Sequence, residues 1–240
     1  MIFTYESSEK ILFSADAFGK FGVYDASPDD WACEARRYYF NIVGKYGTPV
    51  QNVLKKLSSF SIEKICPLHG PVLTENLDYY IGKYITWSSY APEDSGVLIA
   101  FASIYGNTKK AALFLEEKLK QAGVEKIVLS DLARSDMAEV IEDAFRYDRM
   151  ILMAPTYDAG LFPVMESFLH HLKAKNYCNR KIGLVENGSW APVAVKKMQE
   201  IIIEMKNISL AEKTVTILST LNETTEKELE NLAKEMSVSS

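Results

Sequence analysis

Val97-Leu98-Ile99-Ala100-Phe101-Ala102-Ser103-Ile104-Tyr105-Gly106-Asn107-Thr108 is the stretch on which the fold turns. Residues 97–102 are a short, fully apolar run, the mark of a strand buried on both faces. The next residues form a short loop with hydroxyls at both ends and a glycine inside. That loop runs into a helical pattern from about Thr108 to Ala122, with Ala111, Leu115, Leu119 and Ala122 at helical spacing and Gly123 as the stop. The same unit then repeats. Strands are expected at 126–130, 149–154, 181–186 and 213–218. Helices are expected at 137–145, with Asp136 as cap, at 162–173 and at 193–205. The last helix carries Leu229, Leu232, Ala233 and Met236 on one face, with Thr225 and Glu228 at capping-box spacing. Five strands alternating with five helices predict an α/β fold with a doubly wound parallel sheet. The order expected at this size is 2-1-3-4-5, with a ligand crevice at the carboxyl ends of strands 1 and 3.

Around this stretch the chain is ordinary in composition. Its 240 residues are 48% hydrophobic and 25% charged, which excludes disorder of the whole. A formal net charge of −5 gives no electrostatic footprint for nucleic acid. Cys33, Cys66 and Cys178 form no CxxC, so a disulfide framework is not expected and a reduced, cytoplasmic setting is. Met1 to Glu6 lacks a basic n-region, so no signal peptide is expected. The longest apolar runs fall short of the ~18 residues of a membrane span. Residues 1–95 hold 17 of the 27 aromatics, and Ser88 to Gly96 reads as a linker. Two domains are therefore expected, 1–95 and 96–240.

Three loops meet at the expected crevice. Ser103-Ile104-Tyr105-Gly106-Asn107-Thr108 leads into a helix N-terminus, where unpaired N–H groups and the positive dipole end favour a phosphate. It is neither a Walker loop nor a G-x-G-x-x-G fingerprint, and alone it also fits an ordinary turn capped by Thr108. Pro155-Thr156-Tyr157-Asp158-Ala159-Gly160 follows strand 3, and Asn187-Gly188-Ser189-Trp190 follows strand 4. Each puts an aromatic and a glycine at the crevice mouth, where a planar ring can pack on Tyr157 or Trp190. The alternative for Trp190 is a core residue covering the sheet end.

These loops carry a resemblance. Ser103 to Thr108 resembles the phosphate loop of flavodoxins, with a hydroxyl-x-x-x-Asn-Thr spacing. Pro155 to Gly160 and Asn187 to Trp190 resemble the two loops that sandwich the isoalloxazine of FMN. The resemblance covers residues 96–240 and implies a flavodoxin-like, five-stranded domain binding FMN through all sixteen of these positions. It implies a backbone group of Ala159-Gly160 near flavin N5. A receiver domain shares the strand order but needs an acidic pair after strand 1, where this chain has Ser103-Ile104.

The first 95 residues read as a hairpin, Ile2 to Tyr5 with Ile11 to Ser14. Helices follow at 31–46 and 49–57, the second with Thr48 as cap. A strand at 62–66 and a helix at 75–87 complete the segment. Asp16-Ala17-Phe18-Gly19 and His69-Gly70-Pro71 resemble the last two metal-ligand motifs of flavodiiron proteins, in which a metallo-β-lactamase-like domain holding two irons precedes a flavodoxin-like domain. The resemblance implies that Asp16 bridges two metals and that His69 is an imidazole ligand, on a partial metallo-β-lactamase-like segment. The family's H-x-E-x-D-H cluster lies upstream of where this sequence begins. The other histidines, His170 and His171, are adjacent on a helix and diverge. One carboxylate and one imidazole do not close a di-iron site. The expectation is therefore an FMN electron-transfer protein, the C-terminal part of a flavodiiron NO or O2 reductase with a rubredoxin-like or other small redox donor. No catalytic residue of its own is expected. A second reading is a module of a split enzyme, a homodimer or a complex with a chain carrying the missing ligands. A third is a lactamase-superfamily metallohydrolase, against which the missing histidine cluster argues.

Overall fold

A computed structural model describes residues 3–21 and 28–238 of the chain. The chain divides into two units, Met1–Ala91 and Pro92–Ser240, a few residues before the boundary expected at 95. In the first unit Thr4–Glu6 (β1) pairs antiparallel with Ile11–Phe13 (β2), Thr4 opposite Phe13. Ile2 of the expected hairpin lies outside the described residues. The Glu6 carboxylate closes the turn by accepting from the backbone N–H groups of Ser8 and Glu9. Pro28–Tyr38 (α1) is followed by a π-helical turn, Tyr39–Val43, a 3-10 turn, Gly44–Tyr46, and Gly47–Leu57 (α2).

The helix expected from 31 to 46 is thus broken. Two weak helix formers, Gly44 and Gly47, fall where it breaks. At Gly47 the backbone passes so close to the Ser88 carbonyl and the Tyr90 ring that no Cβ would fit. Thr48 is not the cap either: α2 begins at Gly47 after Tyr46, with no side-chain cap, and Pro49 sits two residues inside it. Lys64–Cys66 (β3) pairs parallel with β2, giving the sheet order β1-β2-β3, and Leu77–Ser88 (α3) closes the unit. Much of the aromatic content is used inside this unit. Trp31 stacks on Trp87 at 5.9 Å between centroids, Tyr80 meets Trp31 edge-on at 4.5 Å, and Phe18, Tyr39 and Phe40 are buried beside them.

The second unit is built from Asp94–Phe101 (β4), Asn107–Gln121 (α4), Ile127–Asp131 (β5), Met137–Arg146 (α5) and Tyr147–Tyr157 (β6). Gly160–Leu161 (β7), Pro163–Ala174 (α6), Arg180–Asn187 (β8), Ala194–Ile202 (α7), Ile208–Leu210 (β9), Val215–Ile217 (β10) and Glu223–Ser237 (α8) complete it. The strands order β10-β8-β6-β4-β5, all parallel, which is 2-1-3-4-5 in order of the five main strands. This is the flavodoxin-like doubly wound sheet.

Two short strands add to it. β7 folds back on the end of β6, and β9 pairs with the start of β8, Arg180 opposite Ile208. The edge strand expected at 213–218 is thus shorter, Val215–Ile217, and β9 is an addition to the expected set. The chain leaves the edge at Glu212, whose N–H is taken by the Glu235 carboxylate on α8, and returns at Val215. The cap of α8 also differs from the expected pair. Asn222 accepts from the N–H groups of Thr224 and Thr225, and the Thr225 hydroxyl accepts from the Asn222 N–H, so the capping box is Asn222–Thr225. Asp136 caps α5 as expected, accepting from the Ala138 N–H.

The core follows the period of the strands. Val97, Ile99, Phe101, Ile151, Met153, Val185, Val215 and Ile217 pack against Ala111, Leu115 and Leu119 of α4 and Leu229, Leu232 and Met236 of α8. The alternate residues Leu98, Ala100, Met150, Leu152, Ile182 and Leu184 are fully buried on the other face. Gly183 allows the close approach of α8, since a Cβ there would stand 3.2 Å from Leu232 Cδ1. Arg149 and Arg180 are buried as caps for backbone carbonyls: Arg149 Nη1 donates to Met236 O at 2.7 Å and Arg180 Nε to Tyr147 O at 2.7 Å. No helix among the described residues is long and apolar enough to cross a membrane.

Candidate functional site

Parallel strands end together, so the loops after β4, β6, β8 and β10 share one edge of the sheet. They enclose a crevice of about 190 Å³ lined by Ser103, Ile104, Tyr105, Asn107 and Thr108, by Pro155 and Thr156, by Asn187, Gly188 and Ser189, and by Ser219. The first loop enters α4 through Gly106, which has φ +91° and open space where a Cβ would stand. Ser103 is buried, and its Oγ accepts from the N–H of Gly106 at 3.1 Å and of Lys109 at 3.3 Å. Among the described residues nothing accepts from the N–H groups of Asn107 and Thr108, the first two of α4. The first turn has no acidic side chain and carries Lys109 and Lys110 instead. Bare N–H groups, a positive dipole end and two lysines leave a site that an anion would complete.

The second loop is a two-residue hairpin turn. Asp158 and Ala159 have φ +50° and +55°, and Tyr157 pairs with Gly160 across it. The Tyr157 ring meets Phe162 edge-on at 5.4 Å and stays half exposed. The third loop is tied to its neighbours on both sides. Gly188 N–H donates to Ile217 O at 3.0 Å, Asn187 Nδ2 donates to Ser219 O at 3.1 Å, and the Ser189 and Ser219 hydroxyls are 2.9 Å apart. On the other side Thr156 Oγ1 accepts from the Val193 and Ala194 N–H groups, and the buried Glu186 carboxylate accepts from the Val195 N–H. The N-terminus of α7 is therefore capped by the protein through Val195, whereas at α4 Ser103 takes the Gly106 and Lys109 N–H groups and leaves those of Asn107 and Thr108 bare.

The structure brings together members of all three expected loops but not every residue. Gly106, Tyr157, Asp158, Ala159, Gly160 and Trp190 lie outside the enclosed part of the crevice. Trp190 is 84% exposed and Tyr105 91%, so neither covers the sheet end as core. An enclosed volume of 190 Å³ is below the ~300 Å³ at which small-molecule pockets begin. It suits a phosphate and a polyol, and leaves a larger planar group to lie on the exposed aromatic rim. Ser219, in the left-handed region at φ +70°, is the lining residue that the sequence did not announce. Its signal was its position just beyond the fifth strand, on the same edge as the other loops.

In the first unit Asp16 and His69 come together. His69 Nε2 lies 3.7 Å from Asp16 Oδ1, and His69 Nδ1 lies 3.2 Å from the Lys20 carbonyl. A carbonyl only accepts, so Nδ1 is the donor of that contact, and Nε2 is the nitrogen turned toward Asp16. Nε2 is buried without a hydrogen-bond partner, and the ring stacks on Phe21 at 4.7 Å. A backbone carbonyl thus fixes the orientation of the ring. Among the described residues no three His, Cys, Asp or Glu side chains converge into a metal cluster. A larger cavity of about 460 Å³ in this unit is lined almost wholly by apolar side chains such as Phe18, Ile42, Val50 and Leu54, and carries little chemistry.

Comparison with known proteins agrees with this geometry. The family profile "Flavodoxin domain" matches residues 98–236, more than half of the chain. An uncharacterised protein of Methanocaldococcus jannaschii is 29% identical over 203 residues, covering 82% of this chain and 51% of that protein. The anaerobic nitric oxide reductase flavorubredoxin of Aeromonas hydrophila is 23% identical over 206 residues, covering 82% of this chain and 41% of that one. Among solved structures, rubredoxin oxygen:oxidoreductase from Desulfovibrio gigas superposes with a TM-score of 0.90 at 20% identity, over 98% of this chain and 60% of that one. The flavodiiron protein of Giardia intestinalis does so with a TM-score of 0.90 at 22% identity, over 98% and 59%. The chain belongs to the flavodoxin domain family. Along almost its whole length it also shares the fold of rubredoxin oxygen:oxidoreductase from Desulfovibrio gigas and of the Giardia intestinalis flavodiiron protein. It spans about half the length of the curated relatives it matches, or less.

Proposed function

We propose that the chain binds one FMN in the crevice and passes electrons as the flavin-bearing part of a flavodiiron NO or O2 reductase. The observation that carries this reading is the pair of bare N–H groups of Asn107 and Thr108 at the start of α4, opening on a crevice whose rim is set with exposed aromatics. The bare N–H groups of Asn107 and Thr108, the Ser103 hydroxyl and the Asn107 amide would hold the phosphate. Tyr105, Tyr157 and Trp190 would flank the ring, and the backbone of Ala159-Gly160 would stand near its edge. Bound FMN supplies one- and two-electron transfer between a donor and an acceptor, and the residues of the chain bind it, orient it and shape access to it. A small rubredoxin-like protein suits the donor role, in keeping with the names of its relatives flavorubredoxin and rubredoxin oxygen:oxidoreductase.

Asp16 and His69 would supply two ligands of a di-iron centre, with the partnerless Nε2 as the donor atom of the imidazole. Each iron takes several N/O donors, so further ligands would have to come from other polypeptide, in a longer chain or a complementing one. The test is a titration of the purified chain with FMN, followed by flavin fluorescence and absorbance. One FMN per chain, bound more tightly than riboflavin, supports the reading. Failure to take up any flavin refutes it.

A further inference from the structure

Two of the three tryptophans in the chain, Trp31 and Trp87, stack in the first unit at 5.9 Å between centroids and 17° between planes. Trp31 Nε1 donates to the Phe18 carbonyl at 3.1 Å, two residues beyond Asp16. Trp31 also meets the rings of Tyr80 at 4.5 Å and Tyr79 at 6.1 Å. Tryptophan and tyrosine are among the side chains most easily oxidised by one electron, and adjoining rings pass the vacancy on. The series runs ring to ring from the backbone beside Asp16 to a part-exposed tyrosine of α3. The rings differ in where a proton can go. The Phe18 carbonyl is too weak a base to take the indole proton, so an oxidised Trp31 stays a charged radical and a strong oxidant. The Tyr84 hydroxyl accepts from the Phe18 N–H at 2.8 Å, and burial pushes its phenol pKa up, as it does that of Tyr39. Neither gives up its proton readily. Tyr79 is part-exposed where Tyr39, Tyr80 and Tyr84 are buried, so a proton leaving it passes to solvent. Lys83 Nζ stands 5.3 Å from the Tyr79 ring centroid, which disfavours a charged radical there and leaves the neutral one.

We propose that Trp87, Trp31 and Tyr79 form a relay that carries one oxidising equivalent from the flank of Asp16 to the protein surface. An oxidant formed at that flank, a partly reduced oxygen or nitrogen oxide, takes one electron from the tryptophan pair. The pair takes an electron from Tyr79, whose phenol proton leaves to water. The oxidant has then gained one electron, and Tyr79 is a neutral phenoxyl radical. A thiol returns it to the phenol by giving up its hydrogen atom. The use of the relay rests on the redox reading of the Asp16–His69 side. The relay itself is a property of these rings and is tested without metal or flavin.

Leu68 offers the point of injection. It is 78% exposed, and its N–H donates to the Ala15 carbonyl, next to Asp16. Leu68→Cys, made in the whole chain with Cys33→Ser, Cys66→Ser and Cys178→Ser, takes a ruthenium polypyridyl photosensitiser. Trp190→Phe in the same background leaves the stacked pair as the one source of a tryptophan radical. A laser flash with an external electron acceptor then leaves Ru(III) beside Asp16. A tryptophan radical should appear in the transient absorption and decay into a phenoxyl radical, and a nitroso spin trap should mark Tyr79 in the peptide map. Tyr79→Phe keeps the ring and removes one hydroxyl. It should abolish the phenoxyl signal and lengthen the life of the tryptophan radical. Trp31→Phe should remove the Tyr79 adduct. An unchanged phenoxyl signal in Tyr79→Phe would overturn the proposal, since the vacancy would end elsewhere. So would a Tyr79 adduct that survives Trp31→Phe in a folded chain. An adduct on Tyr38, whose ring lies edge-on to His69 at 5.3 Å, in place of Tyr79 would do the same.

Discussion

Asn107 and Thr108 carry the functional reading at the scale of single residues, because their N–H groups open α4 and nothing among the described residues accepts from them, Ser103 serving Gly106 and Lys109 instead. Replacing both by alanine removes an amide and a hydroxyl at the phosphate position and leaves the backbone in place. FMN affinity should fall by ~1.5–3 kcal/mol, the worth of a charge-assisted hydrogen bond, and riboflavin affinity should stay within error. Equal losses for both ligands would mean that the loop acts on the ring or on folding. Trp190 is the second residue of interest. Its exposure of 84% means that Trp190→Ala removes almost no buried surface, so the melting temperature of the flavin-free protein should hold. Flavin affinity should fall by about 1 kcal/mol and flavin fluorescence should rise as the quenching ring goes. A lost cooperative melt with unchanged flavin affinity would make Trp190 structural.

Elements show best what was legible in the sequence. The buried strands β4, β6 and β8 announce themselves as continuous apolar runs, and their loops follow at the same edge, so the crevice could be found from residue order alone. β9 could not, because it is three residues long and two of them are exposed, so no apolar run marks it. The broken helix at 39–46 was hidden for another reason: Gly47 is dictated by the Ser88 carbonyl of a distant helix end. The α8 cap was missed by three residues because Asn222–Thr225 lacks the usual Glu or Gln.

One ion-pair hub joins elements that are separate in sequence. Asp94, at the start of β4, bonds Lys126 Nζ at 2.5 Å and Arg146 Nε at the end of α5 at 2.7 Å. Burial alone would raise its pKa, but the bonds to Lys126 and Arg146 override it and hold the carboxyl below the usual carboxylate range. Its stabilisation is therefore full above the unfolded pKa of ~3.9 and is lost as pH falls through the lower folded value. Asp94→Asn should melt earlier than the unmutated chain at neutral pH, and the gap should close below about pH 4. A gap that persists unchanged in acid would show that the effect is packing.

At the scale of the molecule, the two units carry different chemistry and differ in how completely they carry it. The second unit gathers residues of three expected loops and Ser219 around one crevice at one sheet edge. In the first, Asp16 and His69 stand 3.7 Å apart without a third donor among the described residues. Ferrous iron titrated into the purified chain should bind weakly, less than two per chain, and be removed by a mild chelator. His69→Ala should abolish what binding there is. Two tightly held irons per chain would show that donors outside this pair complete the site.

The central claim is that the α4 end of the crevice holds the phosphate of a bound flavin. Phosphorus-31 NMR of FMN on the purified chain reads that contact directly. The phosphate resonance should move away from its free position, broaden with the protein and stop responding to pH as the N–H groups of Asn107 and Thr108 hold it dianionic. In the double alanine variant, which keeps these N–H groups but loses the Asn107 amide and the Thr108 hydroxyl, it should move part of the way toward the free value. FMN bound at one per chain, with its phosphate resonance and titration unchanged from free solution, would contradict the account.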